Sequence, residues 1–445
     1  MSVTAFLTKN HGAHADRAVV QAQHAAWPAL VSAIVAFVVA VALSAPPVLQ
    51  LVEIREPNLY IHVGYAQNIA RTGVLYPGHF LFHLLVVAAH ATLPVSWLQA
   101  SIIAVLALRG VLAVVVWRVV YSATLGANSA SGMLFTIVVA LALTMASAVN
   151  VLTWNVGNYY LGYITPNLYV SQTLIVLQPL ALVLFFVTLR VLEWSGGVKL
   201  RDVVLMSALA VLSILAKPSY AMVLLPAVAL LILIRGQIVH VNWTEVACLH
   251  IRRGRWLRDL RPPLILCAGL ALPVLMGILW VYGSTYLIVH QLSLTEGIGI
   301  LLAPFKVMGF YQQVYNPDGR TIAWLFMKFL LSILFPVAVA ASFWSELRCD
   351  SRLILAWLQF GVGVLFMYLL AEDPAFQNGN FTWSAHIALF ILFVVSMLVV
   401  IESLRTDGRT GWRLLADNKL AVFCFGVFVL HLIGGYGIFA YPHVN

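Results

Sequence analysis

Apolar runs of roughly 20 residues recur from one end of this chain to the other, and a run of that length can cross a bilayer as one helix. They fall near 28–49, 79–93, 97–120, 132–149, 171–191, 202–216, 219–235, 263–289, 322–345, 353–371, 384–403 and 418–440. The runs are continuous rather than alternating, which predicts helices and not barrel strands. Only 9% of the 445 residues are charged and 62% are hydrophobic, whereas a soluble domain carries about 25% charged residues. A water-soluble globule cannot hide so much apolar surface. Soluble enzymes, secreted disulfide scaffolds and disordered chains are therefore excluded. Cys248, Cys267, Cys349 and Cys424 show neither metal-ligand spacing nor a disulfide framework. The formal charge of +9 reads as Lys and Arg in cytoplasmic loops, not as a nucleic-acid footprint.

Charge then orients the runs. The segment 236–262, flanked by Arg235 and carrying Arg252, Arg253, Arg255, Arg258 and Arg261, belongs in the cytoplasm. Lys217-Pro218 breaks the 202–235 stretch into two short spans, because proline disfavours helix before it and lacks a hydrogen-bond donor. Counting outward from the basic loop gives about eleven spans. The cytoplasmic tail is 1–27, the single polytopic domain is 28–445 and the C-terminus is periplasmic. The first apolar run reads as a retained span rather than a cleaved signal. In this topology 79–93 does not cross but lies as a juxtamembrane or re-entrant element of a first outer loop, 50–96. Within that loop 59–71 has the pattern of an amphipathic helix on the membrane surface, ended by Gly73 and Pro77.

The polar residues collect in the outer segments. Glu53, Glu56, His62, His79 and His83 lie in the first; Asn155, Tyr159 and Asn167 in 150–170; Lys217 and Tyr220 at the break. Lys306, Tyr315 and Arg320 follow in the outer loop 290–321, then Glu372 and Asn380. Aromatic rings stack on sugar faces and amides bond hydroxyls in both directions. Isolated cations at membrane depth, Lys217, Lys306, Arg320 and Lys328, suit a phosphate. Each group also has a plainer reading. Aromatics are enriched at every membrane interface, the histidines can be interfacial hydrogen-bonders, and Glu53 and Glu56 can be solvated. His79 and His83 share a helix face, but no third ligand is evident, so no metal site is assigned, although a divalent ion is left open.

Glu56-Pro-Asn-Leu-Tyr-Ile-His62, Thr72-Gly73, Pro77-Gly-His79-Phe-Leu-Phe-His83, Thr165-Pro-Asn-Leu-Tyr169, Lys217-Pro-Ser-Tyr220 and Gly379-Asn-Phe-Thr-Trp-Ser384 together resemble the GT-C superfamily of polytopic glycosyltransferases. The resemblance implies an all-α integral membrane fold in the inner membrane of a bacterium. It also implies transfer of a sugar from a polyprenyl-phosphate-linked donor to a lipid, glycan or protein acceptor at the outer face. A carboxylate in the first outer loop would activate the acceptor. Where the family pattern has Asp, this chain has Asn58, which leaves Glu56 and then Glu53 for the role. Lys217 and Arg320 would hold the lipid phosphate. His62, His79, His83, Asn155, Tyr159, Asn167, Tyr220, Tyr315, Glu372 and Asn380 would line the substrate site. Two other readings stand beside it: a transporter or flippase for a lipid-linked sugar, and an inactive accessory subunit of polysaccharide assembly.

Overall fold

The computed structural model describes residues 15–76, 78–124, 129–150, 162–167, 171–192, 199–234, 265–281, 283, 299–315, 321–373, 379–404 and 418–440. The chain is an all-α membrane protein. Seven helices among the described residues are long and apolar enough to cross a bilayer: α1 (Ala15–Glu53), α4 (Trp97–Ala123), α6 (Gln172–Leu192), α11 (Thr321–Ser342), α13 (Ser351–Leu369), α14 (Trp383–Ser403) and α15 (Lys419–Ala440). Shorter helices fill the spaces between them: α2 (Pro57–Thr72), α3 (Leu81–Thr92), α5 (Ala130–Met145), α7 (Leu200–Ala216), α8 (Ser219–Ile234), α9 (Ile265–Val281), α10 (Lys306–Tyr315) and α12 (Trp344–Cys349).

The centre of the bundle is α14, whose apolar stretch is wholly buried against α13, α11, α8 and α6. Its Ile387, Leu389, Phe390, Phe393 and Val394 reach no solvent. At the periphery α1 turns Leu30, Val31, Ile34 and Val38 outward, which is the face a helix offers to lipid rather than water.

The helix expected at 59–71 forms as α2. Pro57 opens it, where a missing N–H costs nothing, and Gly73 closes it with φ 72° in the left-handed region. Leu59, Val63, Ala66 and Ile69 form its buried stripe. The run at 79–93 folds as α3, whose 12 residues reach about 18 Å, short of the roughly 30 Å of hydrocarbon. The break at Lys217-Pro218 also forms, since α7 ends at Ala216 and α8 begins at Ser219.

Two segments differ from the sequence reading. Residues 299–315, expected as loop, contain β1 (Gly299–Leu302) and α10. Strand β1 pairs antiparallel with β2 (Leu370–Asp373), setting Ile300 opposite Glu372. In the second, the polar stretch 150–170 that the sequence places at the outer face, the described residues 150 and 162–167 are all buried, as are 146–149 before them. There α5 stops at the depth where Arg109 meets Ser44, about 14 Å from the end of α1. Arg109 donates to Thr144 O at 2.7 Å and reaches Ser44 Oγ at 3.5 Å, placing a cation at the negative end of α5.

Unwound backbone in a bilayer must find its partners inside the protein, and Ser147, Ile164 and Thr165 show where. Ser147 N–H donates to His431 O, and His431 Nδ1 sits 2.6 Å from Ser147 O. Ile164 N–H donates to Ser332 Oγ and Thr165 N–H to His386 Nδ1, each at 2.9 Å. Gly434 and Gly435 let α15 approach this far, since a Cβ on either would overlap the carbonyl of Ala148 or Met145.

Candidate functional site

The ends of α6, α7, α8, β2 and α14 bring one group of side chains together. Lys217 occupies the break between α7 and α8 in an extended conformation, φ −171° and ψ 129°, and is only 5% exposed. Its ammonium has two hydrogen bonds, both long and both to neutral acceptors: Thr173 Oγ1 at 3.4 Å and Asn380 Oδ1 at 3.5 Å. Trp383 lies 5.3 Å from it, ring centre to Nζ. Asn380 turns its other amide atom to Glu372, donating from Nδ2 to Oε2 at 2.9 Å. A chain of ammonium, amide and carboxylate results, Lys217–Asn380–Glu372. The parts are set by local structure. The β1–β2 pairing fixes Glu372, and a turn at Gly379, with φ 61°, starts the coil that carries Asn380 into α14. Burial pushes the Lys217 ammonium down to about 8, while the Glu372 carboxylate pulls it back up. It is still a cation at neutral pH.

Three histidines border this group. His62 on α2 and His83 on α3 meet with Nδ1 of the first 2.8 Å from Nε2 of the second. Tyr65 and Phe82 pack edge-on around the pair. His79 precedes α3 in a segment held by Trp280 of α9, which donates to Gly78 O at 3.2 Å. Burial lowers all three: His83 to about 4, His62 with help from the His83 and Lys217 charges, and His79 with help from Lys217, His83 and His62. They are neutral at pH 7, so Lys217 carries the positive charge of this cluster. His83 is fully buried and its Nδ1 has no partner among the described residues. A bare buried acceptor costs less than an orphaned buried N–H. The shared proton is thus assigned to His83 Nε2, donating to His62 Nδ1, which leaves His62 Nε2 as a neutral N–H donor. Among the described residues no trio of His, Cys, Asp or Glu is placed to hold one metal ion.

The structure therefore gathers His62, His79, His83, Lys217, Glu372 and Asn380. It gives other candidates different places. Glu56 accepts from Asn58 Nδ2 at 3.2 Å, and no described contact joins it to Lys217; Glu53 is exposed at the end of α1. The carboxylate that stands with the lysine is Glu372. Asn167 is a strut rather than a sugar ligand. Its amide donates to Leu143 O and Ala146 O at 2.8 Å, and its oxygen accepts from Gln178, so its bonding capacity is taken up in holding the frayed end of α5. Tyr220 points into the core, where its hydroxyl accepts from Gln359 at 3.3 Å. Lys306 is exposed at the start of α10, and Lys328 is buried beside Tyr163, 5.6 Å from the ring centre. Asn155, Tyr159 and Arg320 lie outside the described residues, as does the side chain of Tyr315.

Thr173 is not singled out by the sequence, and Trp383 falls in the segment Gly379–Ser384 without a site role. Trp383 had a signal, three residues after Asn380 at the mouth of an apolar run; Thr173 had none. The fold and site define an all-α membrane protein with a buried Lys–Asn–Glu chain at one end of its bundle. Set against models of known protein families and against curated protein sequences, the chain matches none.

Proposed function

We propose that this protein is a GT-C-type membrane glycosyltransferase, moving a sugar from a polyprenyl-phosphate-linked donor to a lipid, glycan or protein acceptor at the outer face of a bacterial inner membrane. The observation that carries the reading is Lys217, a buried cation whose bonds are long and end on neutral oxygens. A charge kept in such a place generally has a substrate or partner, and an anionic leaving group is the partner its surroundings fit. In transfer, the acceptor oxygen forms a bond to the sugar's anomeric carbon as the bond from that carbon to the phosphate oxygen breaks. The acceptor's proton passes to Glu372, the carboxylate held beside the site by Asn380. Lys217 neutralises the charge arriving on the departing polyprenyl phosphate, and His62 Nε2–H donates to an oxygen of donor or acceptor. Trp383 offers a ring face to the sugar.

About eleven crossings fit this reading: the seven long helices together with α5, α7, α8 and α9. The N-terminus is then cytoplasmic, the C-terminus periplasmic, and α2 and α3 border the outer leaflet. A cysteine placed at Asn68 should react with an impermeant reagent added outside intact cells, and one at His14 should not; the reverse pattern refutes the orientation.

The purified protein, given polyprenyl-phosphate sugars in lipid nanodiscs, should transfer sugar. Lys217→Met and Glu372→Gln should each lower the rate by about two to three orders of magnitude, and Glu56→Gln should leave most of it. Full activity in Lys217→Met and Glu372→Gln would remove both roles. The unwound backbone at 146–150 favours a second reading, a flippase for the same donor, because transporters place broken helices at mid-depth. Movement of labelled donor between leaflets without transfer would select it. The bonds that tie that segment to His431 and Leu331 inside the bundle, against a wholly buried α14, support the enzyme.

A further inference from the structure

Helix α2 has a second working face. At 100° per residue, Gly64, Gln67, Asn68 and Arg71 lie on the side opposite His62, and with Ala70 and Trp97 they line a recess of about 550 Å³. The volume falls in the range of small-ligand pockets, but the recess is open, with Gly64, Gln67, Ala70 and Arg71 exposed, and it is separate from the Lys217 cluster.

Three observations describe what it is built for. Gly64 sits inside a helix, where glycine is unfavourable, yet neither its backbone nor its packing asks for glycine. Its φ is not positive, and a Cβ there would meet nothing within 4 Å. What its missing side chain provides is room in the recess. Arg71 supplies a cation whose described side-chain partner is an amide, Asn68 Oδ1 at 3.3 Å, with no carboxylate pairing it among the described residues. Trp97 is a fixed wall. Its ring stacks on His90 with centroids 3.8 Å apart, His90 is tied to Val95 O at 2.8 Å, and a capping box of Ser96 and Gln99 sets the start of α4.

A guanidinium, two amide side chains and one rigid indole around an open glycine make a site for an anion that also carries hydroxyls. We propose that this recess binds an anionic polyol, a phosphate ester of a glycerol-like or sugar-like group. Arg71 takes the phosphate, Gln67 and Asn68 take hydroxyls, and Trp97 covers the carbon face. The ligand can be the headgroup of an anionic lipid in the leaflet beside α2 or a soluble phosphate ester, and the two sources separate by experiment. The site does not depend on the glycosyltransferase reading.

Binding is measured by calorimetry on the full chain in neutral detergent, with dihexanoyl-phosphatidylglycerol and glycerol 3-phosphate as probes and dihexanoyl-phosphatidylcholine as control. At least one anionic probe should bind more tightly than the control. Arg71→Gln should weaken it at least tenfold. Gly64→Leu, whose side chain enters empty space, should abolish it while thermal unfolding stays within a few degrees. Binding of the lipid probe alone assigns a membrane headgroup; equal binding of glycerol 3-phosphate assigns a soluble ester. No binding of either probe, or parental affinity in both variants, overturns the proposal. Failure here with intact sugar transfer would leave the Lys217 site standing, and the converse outcome would leave the recess standing.

Discussion

The two ends of the helical bundle treat charge in opposite ways. Where α13 begins and α14 ends, Arg352 is bracketed by carboxylates, donating to Asp350 at 2.7 Å and to Glu402 at 2.6 and 2.7 Å. Nearby in the same layer, where α6 ends and α7 begins, Asp202 lies 3.6 Å from both Arg190 and Arg201. These charges are matched in number and close in space, and the Arg352 side chain is still 27% exposed. At the opposite end Lys217 is buried, its hydrogen bonds are long, and Asn380 stands between it and the Glu372 carboxylate. Charges that satisfy each other fasten helix ends. A charge left short of partners in a dry place is costly, and such a cost is tolerated where a ligand supplies what is missing.

The largest effect should come from exchanging the two cations for neutral side chains. Lys217→Met should cost about two to three orders of magnitude in sugar transfer and leave the thermal midpoint unchanged or raised, because it removes a poorly bonded buried charge. Arg352→Met should do the reverse. Activity per folded molecule should persist while stability falls by about 1–3 kcal/mol, a figure reduced from that of a fully buried pair because solvent screens this one. Equal loss of midpoint in both variants would erase the contrast between the ends.

A smaller effect should appear with pH. Lys217 is held down to about 8, so it is charged below that value and neutral above it. A step that needs the ammonium should weaken as pH rises through about 8, approaching tenfold per unit beyond, and Lys217→Arg should shift that fall upward by two units or more. A flat profile from pH 7 to pH 9.5 would contradict a role for the charge. The smallest effect concerns the scaffold between the ends. Gly434→Val would drive a side chain into the carbonyl of Ala148, and overpacking of this kind costs about 1–3 kcal/mol. The thermal midpoint should fall, with the unwound segment at 146–150 the first to gain hydrogen exchange.

How far these regions could be read beforehand follows from the physics of each. The Lys217 break was legible because proline ends helices by its own covalent geometry. Helix α2 was legible because its apolar spacing, Pro57 and Gly73 are local signals. The shared helix face expected for His79 and His83 does not form, because α3 begins at Leu81 and leaves His79 in the segment before it. For the polar stretch around Asn150 and Asn167 the sequence did not show burial, because polarity reports a need for hydrogen bonds and not where they are found. Here His386, His431 and Ser332, distant in sequence, and Gln178, on the helix that follows, supply them inside the bundle. Glu56 and Glu372 looked alike as acidic residues near an apolar boundary; the β1–β2 pairing, invisible in hydropathy, is what sets the second beside Asn380.

By itself the sequence determined that this chain is a helical membrane protein and which segments form or break helices, since these depend on apolar length and on proline, glycine and helical period. Only the tertiary structure decided which polar groups meet. That depends on which helix ends share a layer of the bundle, and the packing that sets this is made of side-chain contacts between segments hundreds of residues apart.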